Sequence, residues 1–213
     1  MRRLSLILAA CALLAGCKTT TYNDFYVGVD YSKRSDVSIT SFGLGFQGRP
    51  MFSERIGLVY QVGFLLPMAV DYRAYGLSVR RDNLSSGVGI HGFIAPSFKV
   101  LDINEKISLF VSPGLNTGQI FLTKNGEVET FDHIRRETHE IDMNTLGIGV
   151  DISTDFYLGK YFFMRFGVLL GLDLLSSDSV YFGDLLDSST HGVTQFRAYP
   201  KLGIGWRRTK EQN

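Results

Sequence analysis

Cysteine and proline are both scarce in this sequence, and their scarcity limits what the chain can be. Only Cys11 and Cys17 occur among the 213 residues, so a chain cut before Cys17 has no second cysteine for a disulfide or a cysteine-ligated metal site. Proline occurs five times, whereas glycine (23), phenylalanine (16) and tyrosine (10) are abundant. This composition favours an all-β chain with few interruptions of its strands.

Long apolar runs are also missing, except for one at the N-terminus. Arg2 and Arg3 precede the uncharged residues 4–14, and residues 14–17 read Leu-Ala-Gly-Cys. This order is typical of a secretory signal peptide, and its apolar part is too short for a transmembrane helix. Residues 14–17 resemble the lipobox of bacterial lipoproteins, which implies lipidation of Cys17, and the Lys18 that follows implies export to the outer membrane. Ordinary signal cleavage nearby is the alternative.

No excess of either charge sign remains once the signal peptide is removed. Its loss takes Arg2 and Arg3, which reduces the 22 Lys and Arg residues to 20, against 21 Asp and Glu. A chain this close to neutral lacks the basic surface that a nucleic-acid-binding protein needs. The remaining residues are enough for one domain with a substantial core.

Large apolar residues alternate with small or polar ones along most of the remaining chain. This period of two predicts strands with two unlike faces, and no stretch keeps a helical periodicity for long. Eight segments show the alternation: residues 24–33, 38–48, 55–68, 87–100, 106–119, 144–158, 161–174 and 194–207.

The two faces of these segments differ in size as well as in polarity. In the third segment the apolar face is Ile56, Leu58, Tyr60, Val62, Phe64 and Leu66, and the other is Gly57, Val59, Gln61, Gly63, Leu65 and Pro67. A soluble sandwich or barrel would turn the apolar face inward and cover the other with solvated charges. The many glycines and few Lys and Glu of the smaller face instead favour a membrane barrel, with the apolar face toward lipid.

The smaller face also carries charged residues that would lie inside the barrel. They are four of each sign: Asp30, Lys99, Asp151, Asp155, Arg165, Asp173, Arg197 and Lys201. An eight-stranded barrel has a lumen only wide enough for side chains, and an unpaired charge there is costly. We therefore expect these residues to pair and to fill the lumen.

The connections between segments are of two kinds. Short links lie near residues 33–36, 49–53, 101–105 and 159–160, and long loops at 69–86, 120–143 and 175–193. Short turns at one end and long loops at the other are typical of outer-membrane barrels, and an even strand number predicts both termini on the periplasmic side. Aromatic residues near the segment ends are expected at the membrane interfaces: Phe25, Phe156, Phe162, Phe196 and Trp206.

In architecture the chain resembles the small outer-membrane barrels of the OmpA, OmpX and OmpW type. The resemblance implies one up-and-down antiparallel barrel, which we place at residues 24–207, after a linker at 18–23 and before a polar tail at 208–213. Two features depart from the family pattern. Its members are normally cut by the ordinary signal peptidase, and their last strand usually ends on a terminal aromatic, whereas here Trp206 is followed by Arg207–Asn213.

No motif for catalysis, cofactor binding or metal binding is evident. His91 is on the smaller face and is expected to hydrogen-bond inside the barrel. His133 and His139, with nearby carboxylates, are interpreted as part of a solvated charged loop. Some small barrels modify lipids, and Ser188 to His191 is the nearest local match to such a site. Adjacent Ser and His residues do not by themselves form a catalytic pair.

Three functions follow from these observations, in this order. The first is a non-enzymatic, porin-like but plugged barrel without cofactors, present as a monomer. It would contact outer-membrane lipids and the assembly machinery and act through its long loops in surface interaction or envelope integrity. The second is a lipid-anchored soluble barrel of the lipocalin kind that binds an apolar ligand, which requires an apolar interior. The third is a lipid-modifying enzyme.

Overall fold

The computed structural model describes residues 19–74, 77–80, 84–130, 133–182, 185–191 and 195–210. All elements in these ranges are β-strands, so none of the described residues forms a helix able to cross a membrane. The ten strands are β1 (Thr19–Lys33), β2 (Val37–Met51), β3 (Ile56–Ala74), β4 (Leu77–Arg80), β5 (Leu84–Ile103), β6 (Ile107–Thr130), β7 (His133–Tyr157), β8 (Phe162–Phe182), β9 (Leu185–His191) and β10 (Gln195–Lys210).

Eight of these strands close into one antiparallel barrel. Each of β1, β2, β3, β5, β6, β7, β8 and β10 pairs with the next in this series, and β10 returns to β1 over the register Thr19↔Lys210 to Lys33↔Phe196. The short strands β4 and β9 pair only with the outer parts of β3 and β8. The predicted fold class, an all-β barrel of about eight antiparallel strands, is confirmed.

The two ends of the barrel differ in how the chain turns. At one end, which we call the short-turn end, residues 52–55, 104–106 and 158–161 connect the strands, and Thr19 and Lys210 lie side by side. At the other, the hairpin end, residues 34–36 form the turn between β1 and β2. The remaining connections there are long hairpins built from β3 to β10.

The prediction that residues 69–86, 120–143 and 175–193 form long loops is wrong, because most of these residues form strands. The β6–β7 ladder continues without a break from Ile107↔Phe156 to Thr130↔His133, and β9 pairs with β8 from Ser176↔His191 to Phe182↔Leu185. Backbone hydrogen bonds hold such a ladder whatever its side chains are. The alternation that marks a strand fades there because polar residues become frequent in the sequence of these arms.

The barrel also extends beyond residues 24–207 at the short-turn end. Thr20 and Thr21, predicted to lie in a linker, pair with Thr209 and Arg208, predicted to lie in a polar tail. Their side chains are polar on both faces, so the apolar alternation on which the predicted bounds depend is missing there. Cys17 and the rest of the signal peptide lie outside the described residues.

The turn between β5 and β6 contains backbone strain that a substitution can relieve. Asn104 and Glu105 have φ of 51° and 56°, and the Lys106 amide donates to the Ile103 carbonyl at 2.9 Å. Positive φ at both central positions is the pattern of a type I′ turn, which glycine tolerates and glutamate does not.

We expect Glu105→Gly to raise the free energy of unfolding by about 1 kcal/mol, because the left-handed conformation costs a residue with a Cβ roughly that much. Urea titration of the purified protein measures the change. Glu105→Ala removes the same carboxylate but keeps the Cβ, so it should bring no such gain. Equal stabilisation by both substitutions would assign the effect to charge instead of strain.

Candidate functional site

The outer face of the barrel is covered by large apolar side chains. Val62, Phe25 and Ile204, on three different strands, are 59%, 64% and 62% exposed. Their neighbours on the same strands point inward and are buried, as the unequal faces predicted. In soluble proteins a continuous exposed apolar belt of this size is rare, whereas it is the lipid-facing surface of a membrane barrel. A lipocalin-like barrel requires the reverse arrangement, with an apolar interior and a polar outside.

The five aromatic residues predicted at the membrane interfaces all lie on this outer face. Phe25, Phe156, Phe162 and Trp206 are near the short-turn end, and Phe196 is near the hairpin end. The Phe25 ring centroid is 5.9 Å from that of Trp206. The aromatic residues are therefore concentrated near one end of the apolar belt.

The lumen near the short-turn end holds a set of buried ion pairs, which we call the balanced network. It consists of three carboxylates and three cations: Asp24, Asp151, Asp155, Arg49, Arg165 and Lys201. Arg165 donates to both Asp155 oxygens at 2.6 and 2.7 Å and also to Asp24. The Lys201 Nζ lies 2.5 Å from Asp151 Oδ1. Each charge thus has an opposite partner in a lumen without bulk water.

Arg49 contacts both these ion pairs and the aromatic side chains on their short-turn side. Its guanidinium lies 3.6 Å from an Asp151 oxygen and 3.7 Å from an Asp155 oxygen, and donates to Ser153 Oγ at 2.6 Å. The guanidinium carbon lies 4.0 Å from the centroid of the Phe110 ring, a distance at which a cation–π attraction contributes. Arg49 is therefore held by charge on one side and by an aromatic ring on the other.

Closer to the hairpin end, Arg197 lies between Asp30 and Asp173, and we call these three residues the Arg197 triad. Its Nε is 3.6 Å from Asp30 Oδ1 and its Nη2 is 3.6 Å from Asp173 Oδ2. Asp173 also accepts a hydrogen bond from the Asn116 amide. Here one cation serves two carboxylates.

Seven of the eight lumen charges predicted from the sequence are buried inside the barrel. The exception is Lys99, whose side chain is 16% exposed and whose Nζ lies 2.9 Å from Asp102 Oδ2 at the short-turn end. The alternation gave Lys99 the correct face, but the strand reaches the rim at that point, so the cation meets solvent and a rim carboxylate. Lys99 is therefore not part of the inner network.

The sequence reasoning missed Asp24 and Arg49. Asp24 shares the face of Asp30, six residues along the same strand. Arg49 continues the face of Gln47 but lies one residue beyond the predicted end of its segment at 48. Following the alternation of this segment one residue past its predicted end would have found Arg49.

A fifth buried cation, Arg34, crosses the barrel at the hairpin end. It donates to Asp36 Oδ1 at 2.6 Å, to Asp178 Oδ2 at 2.6 Å and to Ser176 Oγ at 2.9 Å. Burial alone would raise the pKa of the Asp36 carboxyl, but the hydrogen bonds and positive charge of Arg34, with the Asp36 backbone and Ser35 hydrogen bonds, together outweigh burial and lower that pKa below its usual value. Arg34 therefore ties the β1–β2 turn to β8 through Asp178 and Ser176. Its contact with Asp36 inside the turn weakens as the pH falls through the lowered pKa of Asp36.

His91 lies inside the barrel among aromatic side chains. Its Nε2 is 2.9 Å from the Tyr26 hydroxyl, and its ring centroid is 4.8 Å from that of Tyr199. Both tyrosines are buried and belong to strands β1 and β10, which adjoin each other. The imidazole therefore links β5 to the opposite side of the lumen.

Packed side chains close the lumen at both ends of the charged region. Toward the hairpin end the buried residues are apolar: Val37, Ile39, Val70, Tyr72, Ile120, Leu122, Ile141 and Met143. Toward the short-turn end they are mainly aromatic: Tyr22, Met51, Phe110 and Phe163, with Tyr157 packed against them. A cavity of about 750 Å³ opens at the short-turn end, lined in part by Glu54, Arg55 and Asp102, and reaches Tyr22 and Met51.

The residues weighed for catalysis or metal binding are only partly described. Ser188 to His191 belong to β9 instead of a loop, and His133 and His139 belong to β7, but the side chains of all of these lie outside the described residues. Among the residues whose side chains are described, no group of three or more His, Cys, Asp or Glu is arranged to hold a metal ion.

Comparison with known proteins identifies the fold of the chain but no family. No protein-family model and no curated protein sequence matches the chain. Outer-membrane barrels of solved structure are similar to it. OprG of Pseudomonas aeruginosa has a TM-score of 0.60 at 11% identity, over 90% of this chain and 96% of its own. AlkL has a TM-score of 0.58 at 12% identity, over 92% of this chain and 93% of its own. A major outer membrane protein of Thermus thermophilus has a TM-score of 0.55 at 14% identity, over 87% of this chain and 99% of its own. The chain therefore has the fold of the small outer-membrane β-barrels.

Proposed function

We propose that this chain spans the bacterial outer membrane as a plugged barrel and acts in surface interaction or envelope integrity, without catalysis. The observation that carries the proposal is the filled lumen. Apolar side chains, ion pairs and aromatic rings follow one another along the barrel interior, with residues such as Arg49, Arg165 and Phe110 fully buried. Over the described residues, a lumen packed in this way offers neither a water-filled channel nor an accessible reactive group.

The orientation that fits this proposal has the short-turn end in the periplasm and the hairpin end outside the cell. Short turns are periplasmic and long connections external in outer-membrane barrels, so both termini are periplasmic. Lipid on Cys17 would then add a second anchor at the periplasmic rim. Mass spectrometry of the mature N-terminus tests the anchor, because acylation adds the mass of its fatty-acyl chains and ordinary cleavage adds none.

Planar-bilayer recording tests the plug. We expect the purified protein to give no stable single-channel steps, because every route along the lumen passes the buried ion pairs and the aromatic residues around Phe110. An open porin recorded in parallel checks that the bilayers report channels. Large, reproducible steps from the folded protein would contradict the proposal.

The hairpin end supplies the surface that the proposed function uses. β6 and β7 have 24 and 25 residues, longer than the roughly 10 residues of a tilted membrane-crossing strand, so their hairpin projects well past the apolar belt. Replacing residues 125–138 by Asn-Gly should leave a folded barrel, because the pairs at and below Lys124↔His139 remain. In a deletion strain, this variant should restore detergent resistance if the barrel itself supports the envelope. It should fail in assays of surface contact if the hairpin makes that contact.

A second candidate function is passage of small apolar molecules through the barrel wall, and a break in the β3–β5 ladder favours it. Pairing of β3 with β5 stops at Leu65↔Gly89, and β3 next pairs, with β4, at Asp71↔Arg80. Residues 66–70 between these points are Leu-Pro-Met-Ala-Val, so the edge of the break is apolar. The Pro67 ring reaches Gly87 across the break. Widening of the break at this contact would join the apolar interior at the hairpin end to the surrounding lipid.

Pro67 offers a test of this second function, because it has no amide hydrogen with which to pair. Pro67→Val restores the donor, so it should narrow the break and reduce the uptake of an apolar fluorescent dye by cells that produce the protein. Pro96→Val is the matched control, since Pro96 lies in the continuous part of the same ladder, opposite Leu58. Equal uptake by wild type, both variants and cells without the protein would remove the candidate.

A further inference from the structure

The described lumen buries more negative than positive charge. Between the Arg34 turn and the short-turn end, the lumen contains five fully buried carboxylates and four buried cations: Asp24, Asp30, Asp151, Asp155, Asp173, Arg49, Arg165, Arg197 and Lys201. A net charge away from bulk water is costly and is normally compensated by a partner. One further positive charge is therefore needed inside the barrel.

The ion-pair geometry locates the excess at the Arg197 triad. The balanced network pairs its three carboxylates with three cations through direct contacts of Arg165, Arg49 and Lys201. In the triad, Arg197 alone faces both Asp30 and Asp173, each at 3.6 Å, which is beyond hydrogen-bond length. The triad thus carries the one uncompensated negative charge.

Two buried hydroxyl groups without hydrogen-bond partners occupy ladder positions next to Asp30. Neither Asp30 oxygen accepts a hydrogen bond, and Ser41, directly opposite Asp30 in the β1–β2 ladder, has an unpartnered hydroxyl. Ser32 lies two residues along β1 on the same face, and its hydroxyl is also buried and without a hydrogen-bond partner. Four oxygen atoms without hydrogen-bond partners therefore occupy neighbouring positions on the lumen face next to the excess charge.

We propose that Asp30, with the hydroxyls of Ser32 and Ser41, binds a monovalent alkali cation of the Na⁺ or K⁺ class inside the barrel. Carboxylate and hydroxyl oxygens are ligands that hard cations prefer. A single charge is what the triad lacks, whereas a divalent ion would overcompensate it. The described residues also contain no cluster of three or more His, Cys, Asp or Glu of the kind a tightly bound divalent or transition metal uses.

Thermal unfolding of the purified full-length protein in detergent tests the site. The midpoint temperature is measured in NaCl, KCl and N-methyl-D-glucamine chloride at equal ionic strength. We expect a midpoint about 3 °C higher in the better alkali salt than in N-methyl-D-glucamine, the shift that corresponds to a cation at several times its Kd. Asp30→Asn keeps the shape of the side chain but removes the excess charge, so the variant should unfold at the same temperature in all three salts.

Asp102→Asn is the matched control, because it removes one negative charge at the exposed rim and should keep the full alkali-dependent shift. A crystal soaked in Rb⁺ or Tl⁺ gives a direct readout, with an anomalous peak expected beside Asp30. Identical midpoints for the wild type in the three salts, or a shift retained by Asp30→Asn, would overturn the proposal. In either case a proton on Asp30 would remove the excess negative charge.

Discussion

Arg165→Met will lower the free energy of unfolding by about 4 kcal/mol, because it removes the cation that hydrogen-bonds two buried carboxylates and leaves Asp155 with a contact of 3.7 Å to Arg49. Arg165 donates to both oxygens of Asp155 and to Asp24, and all three side chains are fully buried. Methionine fills a similar volume but offers no charge and no donor. The loss therefore comes mainly from the stranded negative charges and not from a cavity.

Urea titration in lipid vesicles measures this loss, and Trp206, the single tryptophan, reports unfolding from the outer face. Arg55→Met is the control, since Arg55 is an exposed cation at a turn and should change stability by less than about 0.5 kcal/mol. Adding Asp24→Asn and Asp155→Asn to Arg165→Met should recover part of the loss, because the amides need no counter-charge. A loss below about 1 kcal/mol in the single variant would mean that water reaches the network.

The sequence was sufficient to predict the faces of the strands but not the partners inside the lumen. Alternation assigns each residue to one face, which is why Asp151, Arg165 and Lys201 were expected inside. A register shift of two residues keeps every face and yet changes which charges meet. Arg165 reaches Asp24 from a strand 141 residues away. Such a contact depends on the register of the whole barrel and on its closure, which no local pattern contains.

The strand arms at the hairpin end were missed for a different reason. Alternation marks a strand only where its two faces meet different surroundings, lipid and lumen. Beyond about Leu122 the sequence of the β6–β7 hairpin is rich in polar residues, so it looks like a loop although the ladder runs on to Thr130↔His133. The Arg34 tie at this end was missed with it, because its partner Asp178 lies in a segment that was interpreted as a loop.

An arginine at Val62 will test whether the apolar belt faces lipid. Val62 is 59% exposed at the middle of β3, between apolar neighbours on the same face, Tyr60 and Phe64. In a bilayer we expect Val62→Arg to lower the free energy of unfolding by about 2–4 kcal/mol, because its charge must enter hydrocarbon or distort the bilayer to reach water. The folded fraction is read on unboiled SDS gels, where a closed barrel migrates faster than its boiled form, and stability by urea titration in vesicles.

The matched control is Asn144→Arg, which adds the same charge on the outer face of β7 toward the hairpin end, where Asn144 is exposed. Near the interface the cost of an arginine falls to about 0–1 kcal/mol, so a depth-dependent difference between the two variants is the signature of a surrounding bilayer. If both substitutions were harmless, and the wild type migrated identically with and without boiling, the belt would face water. The buried ion pairs would then belong to a soluble barrel with an apolar exterior, whose belt would need a protein partner in place of lipid.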